Sequence, residues 1–473
     1  MSQNSYLPQT LHIRNELFGC VVTSCDNTNM WDGIYVDIEN QAVAEPELEI
    51  TKYITSPTDI RSQLMNAKNA VVARRESHFL IEDCDFNNNY KDILLEKYLK
   101  NGTAESATVI KGCTFSSTTP LLEPFDTAIK FTALELNDIE GRTIGDVTNA
   151  NAISNSLYGI YSHNASFTLL NSNFNDLEED AAFPNSGTGI YATSDYDYTN
   201  RKITLGNGNS NGSNSFKNSM NGLIGVGEMN YYIYNNTFGS SSNEPITEFC
   251  IKIENSGGKE ILIQDQNEFY DYRHGIDISS PRGKLYIHEN IFHNALFSNS
   301  TNFQGTAINV FNANSVKLYG SEISNNIIGS DLTNEQPRIG IHLSRISNVN
   351  IKTNSIFFHL DASPTDPHLG IWLENCSEVK ISDVNNIQNF TNFQQSNFVT
   401  GPTGLRLNDS PMSCIENNTF TQLGIGMHVT GQSIINSLYE NIFNEFNEGI
   451  FLDNNPYIGS KRWNGGSSWI RKW

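Results

Sequence analysis

His342, Trp372, Arg406, His428 and Phe451 each stand third in a recurring four-residue phrase, and Glu374 lies two places beyond Trp372. The phrases read Gly340-Ile341-His342-Leu343, Gly370-Ile371-Trp372-Leu373, Gly404-Leu405-Arg406-Leu407, Gly426-Met427-His428-Val429 and Gly449-Ile450-Phe451-Leu452. An indole ring beside imidazole, guanidinium and carboxylate groups is a chemistry that holds sugars. The ring takes the C–H face and the charged groups take the hydroxyls. These six residues are therefore candidate glycan contacts, provided the phrases fall in register. The same residue types also fit an ordinary solvated sheet face, so the positioning elements decide the matter.

The phrase recurs well beyond these copies. It appears as Gly33-Ile34-Tyr35-Val36, Gly159-Ile160-Tyr161-Ser162 and Gly275-Ile276-Asp277-Ile278, with weaker copies at Ala70, Ala128-Ile129-Lys130-Phe131, Gly189, Gly222, Cys250 and Ala307. Roughly fourteen copies at spacings of a few tens of residues mark a stacked repeat. A second phrase follows most of them: apolar, two residues, Asn (or Cys or Ser), one residue, then Phe or Ile. Copies run from Ile81…Cys84…Phe86 through Leu169…Ser172…Phe174 and Ile287…Asn290…Phe292 to Leu438…Asn441…Phe443. Apolar and polar residues mostly alternate around both phrases, the pattern of half-buried strands, and no stretch carries helical periodicity.

Short strands with Asn at a fixed bend describe the coils of an all-β, single-stranded right-handed parallel β-helix. Coils stack about 4.8 Å apart, so roughly fourteen of them give a rod of about 65–70 Å. Asn tolerates left-handed backbone angles and suits the bend itself. In register, its amides form an asparagine ladder, with Cys84, Cys113 and Ser172 as small fillers at the same place. Alternate strand residues face opposite sides. The third residue of each phrase therefore points outward, in the column Asp277, Asn309, His342, Trp372, Arg406, His428, Phe451. A second outward column reads Ser279, Phe311, Ser344, Glu374, Asn408, Thr430, Asp453.

The combined pattern over about 33–455 resembles the right-handed parallel β-helix repeat proteins of the pectate-lyase-like superfamily. The stretches Met30 to Val36 and Met65 to Val71 are similar to large secreted or surface β-helix proteins of the Bacteroidetes. This resemblance implies an extracellular or cell-surface protein. No signal peptide is visible, so the native chain is expected to start upstream.

The superfamily also contains polysaccharide lyases and hydrolases. Lyases of this shape carry Asp clusters for calcium beside an Arg or Lys base, and hydrolases carry three Asp on adjacent coils. Here the first outward column offers Asp277 alone and the second offers Asp453, six coils away. Arg273-His274-Gly275-Ile276-Asp277 is a superficial echo of a hydrolase motif. Acid–base cleavage of a glycosidic bond needs two carboxyls within about 5–10 Å, whereas Glu374 and Asp453 are three coils, or about 15 Å, apart. The group Arg273, Asp277, Arg282, His288, Glu289 and His293 is dense, but the second phrase sends His288, Glu289 and His293 to other parts of the coil. No catalytic residue is assigned. The reading is a non-enzymatic scaffold or adhesin-like protein with a polysaccharide or cell-surface glycan as partner. A lyase or hydrolase with a diverged site and a trimeric tailspike-like module are the rivals; a monomer is expected.

No cofactor is expected. Structural calcium is the one metal the acidic loops admit, with Glu178, Glu179, Asp180, Asp195 and Asp197 as candidate ligands, since calcium accepts six to eight oxygens in loose geometry. Solvated acidic loops account for the same residues. The 473 residues carry a net charge of −22, which disfavours nucleic acid because phosphate binding needs basic patches. Seven Cys without a CxxC pair read as free buried thiols. No apolar run is long enough for a membrane span. Three segments follow: incomplete coils over 1–30, the β-helix over 31–455, and a tail over 456–473 that gathers Trp463, Trp469 and Trp473 with basic residues. Within the helix, Lys91 to Ser106 and the stretch around Lys202–Phe216 are expected as excursions from the coil.

Overall fold

The structure is a computed structural model. It describes residues 15–472 except 26, 38–47, 56–57, 75–76, 78, 98–108, 196–200, 241–243, 255–256, 296–304, 331–336, 360–367, 391–400, 447, 455 and 459–469. Among the described residues the only helical piece is a single 3-10 turn at Ser210–Gly212. The remainder is an all-β parallel β-helix, with long all-parallel sheets running the length of the rod. Among the described residues no helix is long and apolar enough to cross a membrane.

Each coil contributes strands to three faces. The first phrase builds one face: Ile276 pairs with Ile308, Ile308 with Ile341, Ile341 with Ile371, Ile371 with Leu405, Leu405 with Met427 and Met427 with Ile450. The apolar start of the second phrase builds the next face, and its Asn-x-Phe end builds a third sheet of fifteen strands. Thr306–Ser324 and Ile339–Lys352 run through the corner between the first two faces and join them. Inward side chains from all faces merge into one continuous buried core.

The small first residue of the phrase has a packing cause. A Cβ added to Gly189 would sit 2.5 Å from Phe216 Cδ1 and 2.6 Å from the carbonyl oxygen of Gly222 on the next coil. The Phe of the third face fills the space a side chain would need. Those Phe stack like on like. Phe174, Phe216, Phe238, Phe269 and Phe292 have successive centroid distances of 4.7, 4.8, 5.2 and 4.5 Å and are within 7° of parallel. Burying each ring fully contributes about 1.5–3 kcal/mol.

The asparagine ladder runs through Asn214, Asn236, Asn267, Asn290, Asn326, Asn354, Asn385, Asn418 and Asn441. Each Nδ2 donates to the next Oδ1 at 2.8–3.1 Å. Register places Ser62, Cys84, Cys113, Asn151 and Ser172 in the same column toward the N-terminus. The bend itself corrects the sequence reading. Its left-handed residue is not the ladder Asn but the one before it: Asn235, Glu289, Asn325, Thr353, Asn417 and Glu440 all have φ between 52° and 56°. The ladder residue is instead selected by its amide, which satisfies buried backbone groups that no strand partner reaches.

Three local expectations also change. The phrase at Ala128-Ile129-Lys130-Phe131 is not a rung; the rung is Thr132–Asn137, with Leu134 paired to Ile93 and Ile160 and Glu135 facing outward. Lys91–Glu96 is a regular strand of the first face rather than the start of an excursion. Lys202–Leu205 and Ser215–Phe216 are likewise ordinary rungs, joined by the 3-10 turn. Of the tail, residues 459–469 and 473 lie outside the described residues, Trp463, Trp469 and Trp473 among them.

Candidate functional site

Both outward columns form as the phrases require. Asp277 pairs with Asn309, Asn309 with His342, His342 with Trp372, Trp372 with Arg406, Arg406 with His428 and His428 with Phe451. The second column runs in the same ladders from Ser279 to Asp453, with Glu374 beside Trp372 and three coils from Asp453. All six sequence-predicted contacts therefore lie on one strip.

Within the strip the side chains are spoken for by one another. Asn309 Nδ2 donates to Asp277 Oδ2 at 2.8 Å, which turns its Oδ1 toward His342 Nδ1, also at 2.8 Å. That arrangement requires the His342 proton on Nδ1. His342 Nε2 lies 3.9 Å from Glu374 Oε2, and Glu374 accepts a hydrogen bond from Ser344 at 3.1 Å. The His342 ring packs on Trp372 at 4.4 Å, and the Arg406 guanidinium lies 5.5 Å from the indole centroid on the other side. His428 packs on Phe451 at 5.0 Å. His342 on one neighbouring coil and Arg406 on the other therefore both lie against the Trp372 ring. Its edge, with the Arg406 and Glu374 heads, is what the strip presents.

The upper part of the strip is more buried than a solvated sheet face. Asp277, Asn309 and His342 are 6, 8 and 4 % exposed. Burial pushes the imidazole of His342 down to about 4 and raises the Asp277 carboxyl. His274 is also pushed down to about 4, first by burial and then by the Arg273 and Lys252 charges. His428 is lowered by burial and by Arg406. These imidazoles are neutral at pH 7, so the formal charges of the strip come from its carboxylates, Lys252 and Arg406. The folded chain binds fewer protons at His274 and His342 than the unfolded chain between pH 4 and 6.5. The stability they contribute is complete above pH 6.5 and is lost as pH falls toward 4, at about 1.4 kcal/mol per pH unit for each group. Urea midpoints measured from pH 6.5 to 4.5 should fall more steeply for the parent than for His342→Asn; parallel slopes would contradict the burial.

Sequence reasoning stopped the column too early. Lys252 pairs with Asp277 and Glu254 with Ser279, one coil up. Lys252 Nζ binds Glu254 Oε1 at 2.6 Å and lies 4.8 Å from the Phe249 centroid; Phe249 in turn stacks on His274 at 4.8 Å. The Glu254 charge reaches Asp277 and adds to its raised pKa. Two outward carboxylates thus stand on adjacent coils, on the diagonal, where Cβ atoms are about 7–8 Å apart or somewhat less. The signal was the copy Cys250-Ile251-Lys252-Ile253, in which Cys takes the place of Gly. Farther up, Tyr161 and Tyr191 occupy the same column and pack with Phe131 and Tyr158 into an aromatic cluster. Their third-place Tyr was legible in both phrases.

His288, Glu289 and His293 lie away from this strip, as the second phrase requires. His288 and Glu289 pair at 3.0 Å around the corner, and His293 stacks on Tyr270 at 4.0 Å. Of the acidic loop residues, Glu178 and Glu179 are exposed. Asp180 Oδ1 accepts from the Ala182 amide at 2.9 Å, and Asp195 Oδ2 accepts from Asn164 Nδ2 at 3.1 Å. Asp197 lies outside the described residues. Among the described residues no three His, Cys, Asp or Glu side chains converge as a metal centre would need. Compared with known proteins, the chain matches no family model, no curated protein and no solved structure.

Proposed function

We propose that the chain is a rigid, acidic, non-enzymatic β-helix scaffold, extracellular or on a bacterial cell surface, that contacts glycans along the outward strip of its first face. Its repeat pattern resembles that of the pectate-lyase-like superfamily. One observation carries the reading: the in-register column from Asp277 to Phe451, in which aromatic, amide and charged groups alternate on consecutive coils. Rungs about 4.8 Å apart give a polymer laid along the rod a repeating row of hydrogen-bonding heads. Because His342 and Arg406 lie against the Trp372 ring, recognition rests on the Arg406, Glu374 and His428 heads and on ring edges. Net charge of −22 favours neutral glycans or those reached through Arg406 over densely anionic chains.

Titration calorimetry against a panel of neutral and uronate-containing polysaccharides tests this. The expected result is binding that Arg406→Ala weakens about 10- to 100-fold, the scale of one charge-assisted hydrogen bond of about 1.5–3 kcal/mol. Binding untouched by both Arg406→Ala and Glu374→Gln would remove the strip from the reading.

A second reading is favoured by the Glu254–Asp277 arrangement. A buried acid with a raised pKa beside a second carboxylate is an arrangement used in glycosidic cleavage. The same panel, assayed for reducing ends and unsaturated products, separates the two. Release of either product that Asp277→Asn abolishes would make the protein an enzyme and displace the scaffold reading.

A further inference from the structure

Asp92 occupies the place in the phrase that elsewhere holds Gly, Ala or Cys, one residue before Ile93 in the first-face ladder. Lys130 enters from the turn that precedes the next rung and forms an ion pair with it. Both side chains are wholly removed from solvent. Lys130 Nζ touches Asp92 Oδ2 and donates to the Ser116 carbonyl at 3.2 Å, while Asn89 Nδ2 donates to Asp92 Oδ1 at 2.9 Å. Burial works against both charges: it pushes the carboxyl up to about 6 and the amine down, each opposed by the partner's charge. The uncharged forms of the pair are an amine and a carboxylic acid held in contact without solvent, which are the reactants of amide formation.

We propose that Lys130 and Asp92 are joined by an intramolecular isopeptide bond that forms in the folded chain. A proton first passes from the ammonium to Oδ2, leaving a neutral amine and acid. The Nζ lone pair attacks Cγ, the Nζ–Cγ bond forms, and the carbonyl electron pair moves onto Oδ1, where the Asn89 amide donates to it. One Nζ proton passes to Oδ2, the Cγ–Oδ2 bond breaks, the Oδ1 pair reforms the carbonyl and one water leaves. The remaining N–H stays on the Ser116 carbonyl. No oxidant, reductant or cofactor enters the balance. Amide formation is unfavourable between free reactants in water, but fixed neighbours reach effective molarities of about 10⁵–10⁸ M, and here the competing water is excluded. The bond would tie together two consecutive coils of the first face, whose rungs Lys91–Glu96 and Thr132–Asn137 pair directly.

Intact mass spectrometry of the full chain under denaturing conditions tests it directly. The expected mass is one water below that of the sequence, with fragmentation placing the loss on a branched peptide that contains Asp92 and Lys130. Lys130→Arg should carry its full sequence mass. A parent chain at full sequence mass, with Lys130 open to an amine reagent in denaturant, would overturn the proposal; this readout needs no variant to fold.

Discussion

Asn326→Ala lowers the stability of the central coils by about 3–6 kcal/mol. Asn326 Nδ2 donates to Asn354 Oδ1 at 2.9 Å and to the Ile287 carbonyl at 3.0 Å. Its Oδ1 accepts from the amide N–H of Asn290 at 3.1 Å and from Asn290 Nδ2 at 3.0 Å. Truncation strands the Asn290 N–H and the Ile287 carbonyl and leaves Asn290 Nδ2 with its bond to the Ile263 carbonyl at 2.9 Å alone, while Asn354 Oδ1 keeps the Asn326 backbone N–H. Each stranded group costs about 1–3 kcal/mol because Asn326 is fully buried and water cannot replace it. The half-buried Asn441, at the end of the ladder, should lose less on the same change. Ser offers a milder substitution, since Ser172 serves in the same column with its Oγ on the Leu170 carbonyl. Solenoids unfold in neighbour-coupled segments, so hydrogen exchange in the flanking coils is the measurement to pair with urea denaturation. A variant within about 1 kcal/mol of the parent would mean that the amides are not what satisfies these backbone groups.

Why the ladder was only partly visible in the sequence follows from bend length. Asn290 and Asn354 stand three residues after an inward Ile, with one left-handed residue, Glu289 or Thr353, ahead of them. Asn267 and Asn385 stand four after theirs, because two residues take left-handed angles: Asp265 and Gln266 at 61° and 62°, Asp383 and Val384 at 58° and 64°. A fixed-spacing phrase passes over them, although the amide reaches the same place. Left-handed Val is costly and unexpected on local grounds; the stacked rungs on either side impose it. The first-face phrase was legible because its small residue and inward pair are both set by contact with the core. It failed at 128–131, where Lys130 is buried against Asp92 and the true rung starts at Thr132 without a Gly. The outward strip was legible as a list of neighbours, since register follows from the inward pattern. What the list did not carry was ring orientation. That depends on side-chain torsions, and it is these that place His342 and Arg406 on the two sides of Trp372.

Phe238→Ala should cost about 3–5 kcal/mol, toward the upper end of the range for a buried ring. Phe238 has no solvent exposure and lies between Phe216 at 4.8 Å and Phe269 at 5.2 Å, nearly parallel to both. Removing the ring opens a cavity that its neighbours cannot close, because each is held in its own coil by strand pairing above and below. It also removes two stacking contacts of about 0.5–1.5 kcal/mol each. Phe238→Ile is the informative control. Ile328, Ile356 and Ile387 occupy the same column three to five coils further on, so the column accepts a β-branched side chain and the loss should stay under about 2 kcal/mol. Filling the void from the opposite wall should fail. A Cβ on Gly222 meets Phe238 at 2.5 Å, which the cavity would relieve, but it also meets the backbone carbonyl of Cys250 at 2.5 Å, which it would not. Gly222→Ala added to Phe238→Ala should therefore destabilise further rather than rescue. Rescue by the double variant, read as a recovered denaturation midpoint, would show that the ring alone dictates the small residue of the phrase and that close approach of the coil backbones does not.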